Sequence, residues 1–119
     1  MRLEGNFYTI DSITSPAEGE HNVVVTLMKE HHIYEGHFPS QPVVPGVCTL
    51  TIIRETLGEI LSRPVSFASI KDCKYVSALI PEEGLRIAIN LSLSDTKLKA
   101  TVERCDNQQT VLKLRAEIR

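Results

Sequence analysis

From Leu85 to Ile118 apolar and polar residues alternate almost without a break, and this pattern limits the fold more than any other feature. Leu85, Ile87, Ile89, Leu91 and Leu93 alternate with Arg86, Ala88, Asn90, Ser92 and Ser94. Asp95-Thr96 can turn the chain, after which Leu98, Ala100 and Val102 keep the same period. Asp106-Asn107 can turn it again, and Leu112, Leu114, Ala116 and Ile118 then share a side. A period of two places alternate side chains on opposite faces of a strand. The pattern therefore predicts three successive antiparallel strands with one wet face and one apolar face. That apolar face has to be covered.

The cover is a single helix. Val47, Leu50, Ile53, Leu57, Ile60 and Leu61 form one helical stripe, with Gly46 just before it and Pro64 stopping it after Arg63. Arg54 lies inside the stripe, where it either runs its aliphatic stem along apolar surface or meets a partner. Two strands are expected before the helix. One runs from Phe7 to Ser15 and is ended by Ser15-Pro16; the other runs from His21 to Met28, around Val23-Val24-Val25. A weaker strand is expected over Phe67 to Ser77. The layout is α+β: one long central helix laid across a curved antiparallel sheet of about six strands. At 119 residues the chain has room for one core, so residues 1–119 form a single domain.

Composition narrows the function. The chain carries 13 Lys+Arg against 15 Asp+Glu, a net charge of -2, and a nucleic-acid binder would show a basic excess. With no Trp, three Phe and three Tyr it lacks a base-stacking platform. Three widely spaced cysteines, Cys48, Cys73 and Cys105, form no zinc-type pair and point to a reducing compartment. No apolar run approaches the roughly 20 residues that span a bilayer. The first ten residues are too polar for a signal peptide. A cytoplasmic protein without membrane or nucleic-acid partners is expected.

The segment from Lys29 to Pro45 has no period. It holds three His, three Pro and one Gly, and reads as a long loop of the kind that carries function. Within it run Gly36-His37-Phe38-Pro39, then Pro42, then Pro45-Gly46-Val47, eight positions in twelve residues. This run resembles the active-site signature of the hot-dog-fold 3-hydroxyacyl-[acyl-carrier-protein] dehydratases of type II fatty-acid synthesis. Lys74 and Pro81 resemble that family's basic and proline positions after the helix. The resemblance implies a hot-dog fold and a cofactor-free elimination of water from 3-hydroxyacyl thioesters, giving enoyl thioesters in fatty-acid or related lipid or polyene synthesis. The substrate would be bound to acyl carrier protein or to coenzyme A. The active unit would be a homodimer at least, because in that family two chains build each site.

The residue types suit this chemistry. Removing a proton from the carbon beside a thioester carbonyl needs a base of near-neutral pKa, usually His. The enolate-like oxygen needs donors, and the free amides at a helix N-terminus supply them where a glycine permits close approach. By resemblance His37 is the base, the Gly46 amide polarises the carbonyl, and Phe38 and Val47 line the acyl channel. The family carries an acidic residue fourteen positions after this histidine, where Thr51 stands here. A threonine hydroxyl can orient a water or a substrate oxygen but is no acid near neutral pH. Glu55, four residues on, lies on the same helical face and is the candidate replacement.

Each of these residues also has an ordinary reading. His37 can be a loop histidine bonded to backbone, and Thr51, Phe38 and Val47 can be plain packing. Glu55 can be a surface or helix-pairing carboxylate. His31, His32, Glu35 and His37 match no standard zinc spacing, so no metal is expected. His21 is expected to be solvated at the start of its strand. Cys48, in the first helical turn, could have a lowered thiol pKa and act as a thioesterase nucleophile, but a small buried side chain is the better expectation. Two other functions compete with the dehydratase: a non-catalytic acyl-thioester-binding subunit of a hetero-oligomeric dehydratase, and a hot-dog thioesterase using Glu55 or Glu35.

Overall fold

The structure, a computed structural model, describes residues 5, 7–28, 46–80 and 84–119. Six strands and one helix follow in the order β1 (Tyr8–Ala17), β2 (Glu20–Leu27), α1 (Gly46–Leu61), β3 (Phe67–Tyr75), β4 (Arg86–Ser94), β5 (Lys97–Arg104) and β6 (Thr110–Ile118). All pairings are antiparallel, in one sheet of order β1-β2-β4-β5-β6-β3. This is the α+β arrangement expected, with the helix inserted between the first hairpin and the rest of the sheet.

The alternation behaves as read. Ile87, Ile89, Leu91, Leu98, Ala100, Val102, Leu112, Leu114, Ala116 and Ile118 are buried on one face, with Val23 and Val25 from β2. Leu93 is only half-buried, at the end of β4. Asp95 takes φ 58 in the two-residue β4–β5 turn, a left-handed conformation that Asp tolerates better than most residues.

The expected end of the first strand is wrong. β1 continues through Pro16 to Ala17. A proline removes one ladder donor, which an edge strand tolerates, and the register shifts between Thr14 and Ala17 at that point. The hairpin closes at Gly19, whose φ is +77 and where a Cβ would stand 2.5 Å from the Leu93 carbonyl oxygen. Only glycine fits both conditions.

The helix buries Cys48, Thr49, Ile52, Ile53, Thr56 and Leu57. Two threonines therefore replace members of the expected stripe, and Thr56 satisfies its hydroxyl on the Ile53 carbonyl at 3.1 Å. Val47 is 65% exposed, so the apolar stripe is wider than the face the sheet covers. The helix ends at Leu61, two residues before the proline-based expectation. Ser62 adopts φ 56, and the Arg63 amide donates to the Gly58 carbonyl at 3.2 Å, a Schellman-type cap with serine in the usual glycine place. β3 is the other edge strand and is largely exposed, including Ile70 and Tyr75. Among the described residues no helix is long and apolar enough to cross a membrane.

Candidate active site at the helix N-terminus

Gly46 is the first residue of α1. The amides of a first helical turn lack intrahelical acceptors and carry the positive end of the helix dipole. No acidic side chain stands in this first turn to engage them. Tyr75, the last residue of β3, closes over Gly46: a Cβ there would meet Tyr75 Cε1 at 2.6 Å and Oη at 2.7 Å. A side chain at this position would therefore have to push the Tyr75 ring aside. Beside the two residues opens a cavity of about 320 Å3, walled also by Thr49, Val76, Leu79 and Val111. Burial, then the neighbouring Cys73 thiol, pushes the Tyr75 phenol above its ordinary range, so it remains protonated and able to donate.

Thr51 lies one turn deeper. Its hydroxyl donates to the Val47 carbonyl at 2.8 Å, so its proton is already committed within the helix and only its lone pairs remain to face a ligand. Glu55 is no surface carboxylate: its side chain is 4% exposed. It accepts a hydrogen bond from the Tyr8 hydroxyl at 3.1 Å and lies 3.8 Å from the Arg54 guanidinium. Arg54 thereby finds a partner within its own chain. Glu55 lines a different hollow, about 390 Å3, with Arg54, Gly58 and Arg63. Nine residues of helix separate it from Gly46, roughly 14 Å of rise. Within one chain the helix N-terminus and the carboxylate therefore do not meet.

His37 and Phe38 lie outside the described residues, as do His31, His32, Glu35 and Pro81. Among the described residues no cluster of three or more His, Cys, Asp or Glu side chains could hold a metal ion. Cys48 is buried, as expected of a small packed side chain, and burial raises its thiol pKa, which disfavours a thiolate there. His21 is not simply solvated: its Nδ1 lies 2.8 Å from Ser15 Oγ across the β1–β2 pair. Sequence reasoning did not single out Tyr8 or Tyr75. Tyr8 carries no local signal, because its partner is 47 positions away. Tyr75 ends a weakly patterned edge strand, and only the strand's docking against the helix start reveals its place.

Three comparisons give the chain its relatives. The ApeI-like family model, described as ApeI dehydratase, matches residues 13–113. The 3-hydroxyacyl-[acyl-carrier-protein] dehydratase FabZ of Listeria welshimeri is 26% identical over 110 residues, covering 82% of this chain and 76% of the relative. Among solved structures, the dehydratase heterocomplex ApeI:P from Xenorhabdus doucetiae superposes with a TM-score of 0.77 at 22% identity, covering 92% of this chain and 95% of that one. The dehydratase domain from the CurJ module of curacin polyketide synthase reaches 0.70 at 17% identity, covering 92% of this chain and 41% of that one. These neighbours share the hot-dog arrangement of one helix on an antiparallel sheet. With the family model matched from Ile13 to Lys113 on that fold, this chain belongs to the ApeI-like dehydratase family.

Proposed function

We propose that the chain is a 3-hydroxyacyl thioester dehydratase that works without a cofactor in a dimer. The observation carrying this reading is that the motif's final glycine opens the helix and lines a largely apolar cavity. His37 takes a proton from C2 of the substrate, and the Gly46 amide holds the carbonyl oxygen as charge builds on it. The bond from C3 to its hydroxyl breaks with its electron pair on oxygen, the leaving oxygen takes a proton from the Glu55 carboxyl and departs as water, and the C2–C3 double bond forms; the proton held by His37 returns to the carboxylate through solvent to reset the site. Phe38 and Val47 flank the acyl chain. Because the Thr51 proton is committed to Val47, Glu55 is the group left to handle the departing hydroxyl, facing the site of a second chain. Three free cysteines fit the reducing cytoplasm.

The test is an assay of the purified protein on 3-hydroxyacyl-carrier-protein substrates of several lengths, with enoyl product followed by mass spectrometry. Turnover that disappears in His37→Ala supports the reading. No turnover at any length from a folded dimer defeats a stand-alone dehydratase.

A second reading has one observation behind it. Glu55 is buried and already bonded to Tyr8, which suits a subunit whose leaving-group chemistry comes from a different chain. The related ApeI:P structure is a heterocomplex. Turnover appearing only when a second, non-identical hot-dog chain is added would favour this reading.

A further inference from the structure

Helix α1 carries three threonines, and one behaves unlike the others. A threonine inside a helix commonly returns its proton to a carbonyl three or four residues back. Thr51 does so to Val47 at 2.8 Å, and Thr56 to Ile53 at 3.1 Å. Thr49 does not. It is 4% exposed, yet among the described residues its hydroxyl has no hydrogen-bond partner. A buried hydroxyl without a partner costs free energy, and folding alone gives no reason to keep it. An apolar side chain of the same shape would serve the core better.

Thr49 lines the cavity of about 320 Å3 beside Gly46. Residues three apart are neighbours on a helix surface, so Thr49 and Gly46 lie on the same side of α1. The Tyr75 phenol reaches the same place. Its oxygen is 2.7 Å from where a Gly46 Cβ would stand, which puts it at most about 5 Å from the Gly46 nitrogen. Two donors can share one acceptor when they stand up to about 5.8 Å apart, twice an ordinary hydrogen-bond length. The Ser77 hydroxyl, also in the wall, is already given to the Thr110 carbonyl at 2.7 Å. The rest of the wall is Val76, Ala78, Leu79 and Val111, and among the described residues it holds no ionised side chain. Such a cavity has nothing to neutralise a phosphate or a carboxylate. It suits a neutral oxygen acceptor on an apolar chain, one on which negative charge can grow.

We propose that the Tyr75 phenol and the Thr49 hydroxyl donate to the thioester carbonyl oxygen, completing with the Gly46 amide the set of donors that holds it. The inference rests on the dehydratase reading and deepens it by naming two further residues of its oxyanion site. The amide alone supplies one hydrogen bond to an oxygen that gains charge as the C2 proton leaves. Donors already aimed at that oxygen stabilise its charged form more than its neutral form. The unpaired Thr49 hydroxyl is then a cost carried by the free chain and recovered when the substrate oxygen arrives.

The test uses hexanoyl-N-acetylcysteamine, isotopically labelled at its carbonyl carbon, a thioester that lacks the 3-hydroxyl and cannot be dehydrated. It is bound to the full chain, and its carbonyl stretch is read by isotope-edited infrared difference spectroscopy. We expect the stretch to fall below its value in water and to move back up in Tyr75→Phe and in Thr49→Val. Thr49→Ser, which keeps the hydroxyl, should hold the wild-type position. Thr49→Val should also melt no lower than wild type, since it removes an unpaired hydroxyl. On a 3-hydroxyacyl substrate Tyr75→Phe should lower kcat/KM about a hundredfold, with the larger part of the loss in kcat. A stretch unmoved in either variant overturns the proposal, as does a thioester that fails to bind wild type. So does a Thr49→Val protein that melts well below wild type, which would give that hydroxyl a structural role. A shifted stretch in a wild-type chain that turns over no 3-hydroxyacyl substrate sustains the donors and defeats the dehydratase reading by itself.

Discussion

The hydroxyl of Tyr8, on the first strand, donates to the carboxylate of Glu55 in the second half of the helix at 3.1 Å. Tyr8 is fully buried and the Glu55 side chain nearly so, which makes this bond a polar tie between an edge strand and the central helix. Removing the Tyr8 hydroxyl takes one hydrogen bond from a poorly solvated carboxylate, at a cost of about 1 kcal/mol. Tyr8→Phe should therefore lower the melting temperature by several degrees. Glu55→Gln, which keeps the size and can still accept from Tyr8, should cost less stability. If Glu55 also handles the leaving hydroxyl, Glu55→Gln should lower turnover by about a hundredfold, within the range for a positioned proton-transfer group. Parallel melting and turnover measurements separate the two roles. A Glu55→Gln protein of full activity would leave the carboxylate purely structural.

Gly46→Ala probes the helix N-terminus. The new methyl would stand 2.6 Å from Tyr75 Cε1, closer than packed carbons come, so the ring has to move. Tyr75 is 55% exposed, and its ring can swing toward solvent. The expected stability loss is thus at the low end for overpacking, about 1 kcal/mol. The cavity, however, loses a wall, and the methyl intrudes where a thioester carbonyl would approach. Turnover should fall by more than about tenfold, a few times RT in transition-state binding. Denaturant unfolding beside steady-state kinetics checks both numbers, and a loss above about 3 kcal/mol would mean that the ring is locked in place.

What was legible in the sequence follows from which signals are local. The strands β4, β5 and β6 were readable because alternation is set residue by residue and one face is buried along nearly all of their length. The helix was readable as an apolar stripe, but its buried face was not. Val47 belongs to the stripe and is exposed, while Thr49 and Thr56 are buried, because the sheet's position and not hydrophobicity alone selects the covered side. Pro16 misled because a proline ends a central strand but not an edge strand with a register shift. The Tyr8–Glu55 tie needed the tertiary arrangement, which no single sequence displays. The Gly-His-Phe-Pro motif was the most specific signal, and of its twelve-residue run Gly46 and Val47 are the residues the structure describes.

Thr51 offers a cheap discriminator. Its hydroxyl bonds back to the Val47 carbonyl, an interaction that adds little to a helix already bonded along its backbone. Thr51→Val keeps the side-chain shape and removes only that hydroxyl. Stability should change by no more than about 0.5 kcal/mol, and turnover should stay within about threefold, under 1 kcal/mol in barrier. A hundredfold loss of turnover with an unchanged melting curve would instead assign the threonine oxygen to the substrate hydroxyl.

Alkaline pH supplies the last test. Burial holds the Cys48 thiol above its ordinary value near 9.0, because the thiolate would lose its hydration among Ile52, Ile53 and the sheet. The folded chain therefore binds this proton more tightly than the unfolded chain does. The resulting stability is fully present below the unfolded pKa and is lost as pH rises through it toward the folded value. Unfolding free energy should thus fall as pH increases above about 9, and Cys48→Ala should flatten part of that decline relative to wild type. Partial desolvation raises the Cys105 thiol and the Tyr75 phenol in the same direction, but both are exposed and solvent-screened, so their share of the decline should be small. Urea unfolding at a series of pH values from 7 upward measures the slope directly. An identical slope in Cys48→Ala and wild type would show that this thiol titrates alike in both states and that its burial is relieved before it ionises.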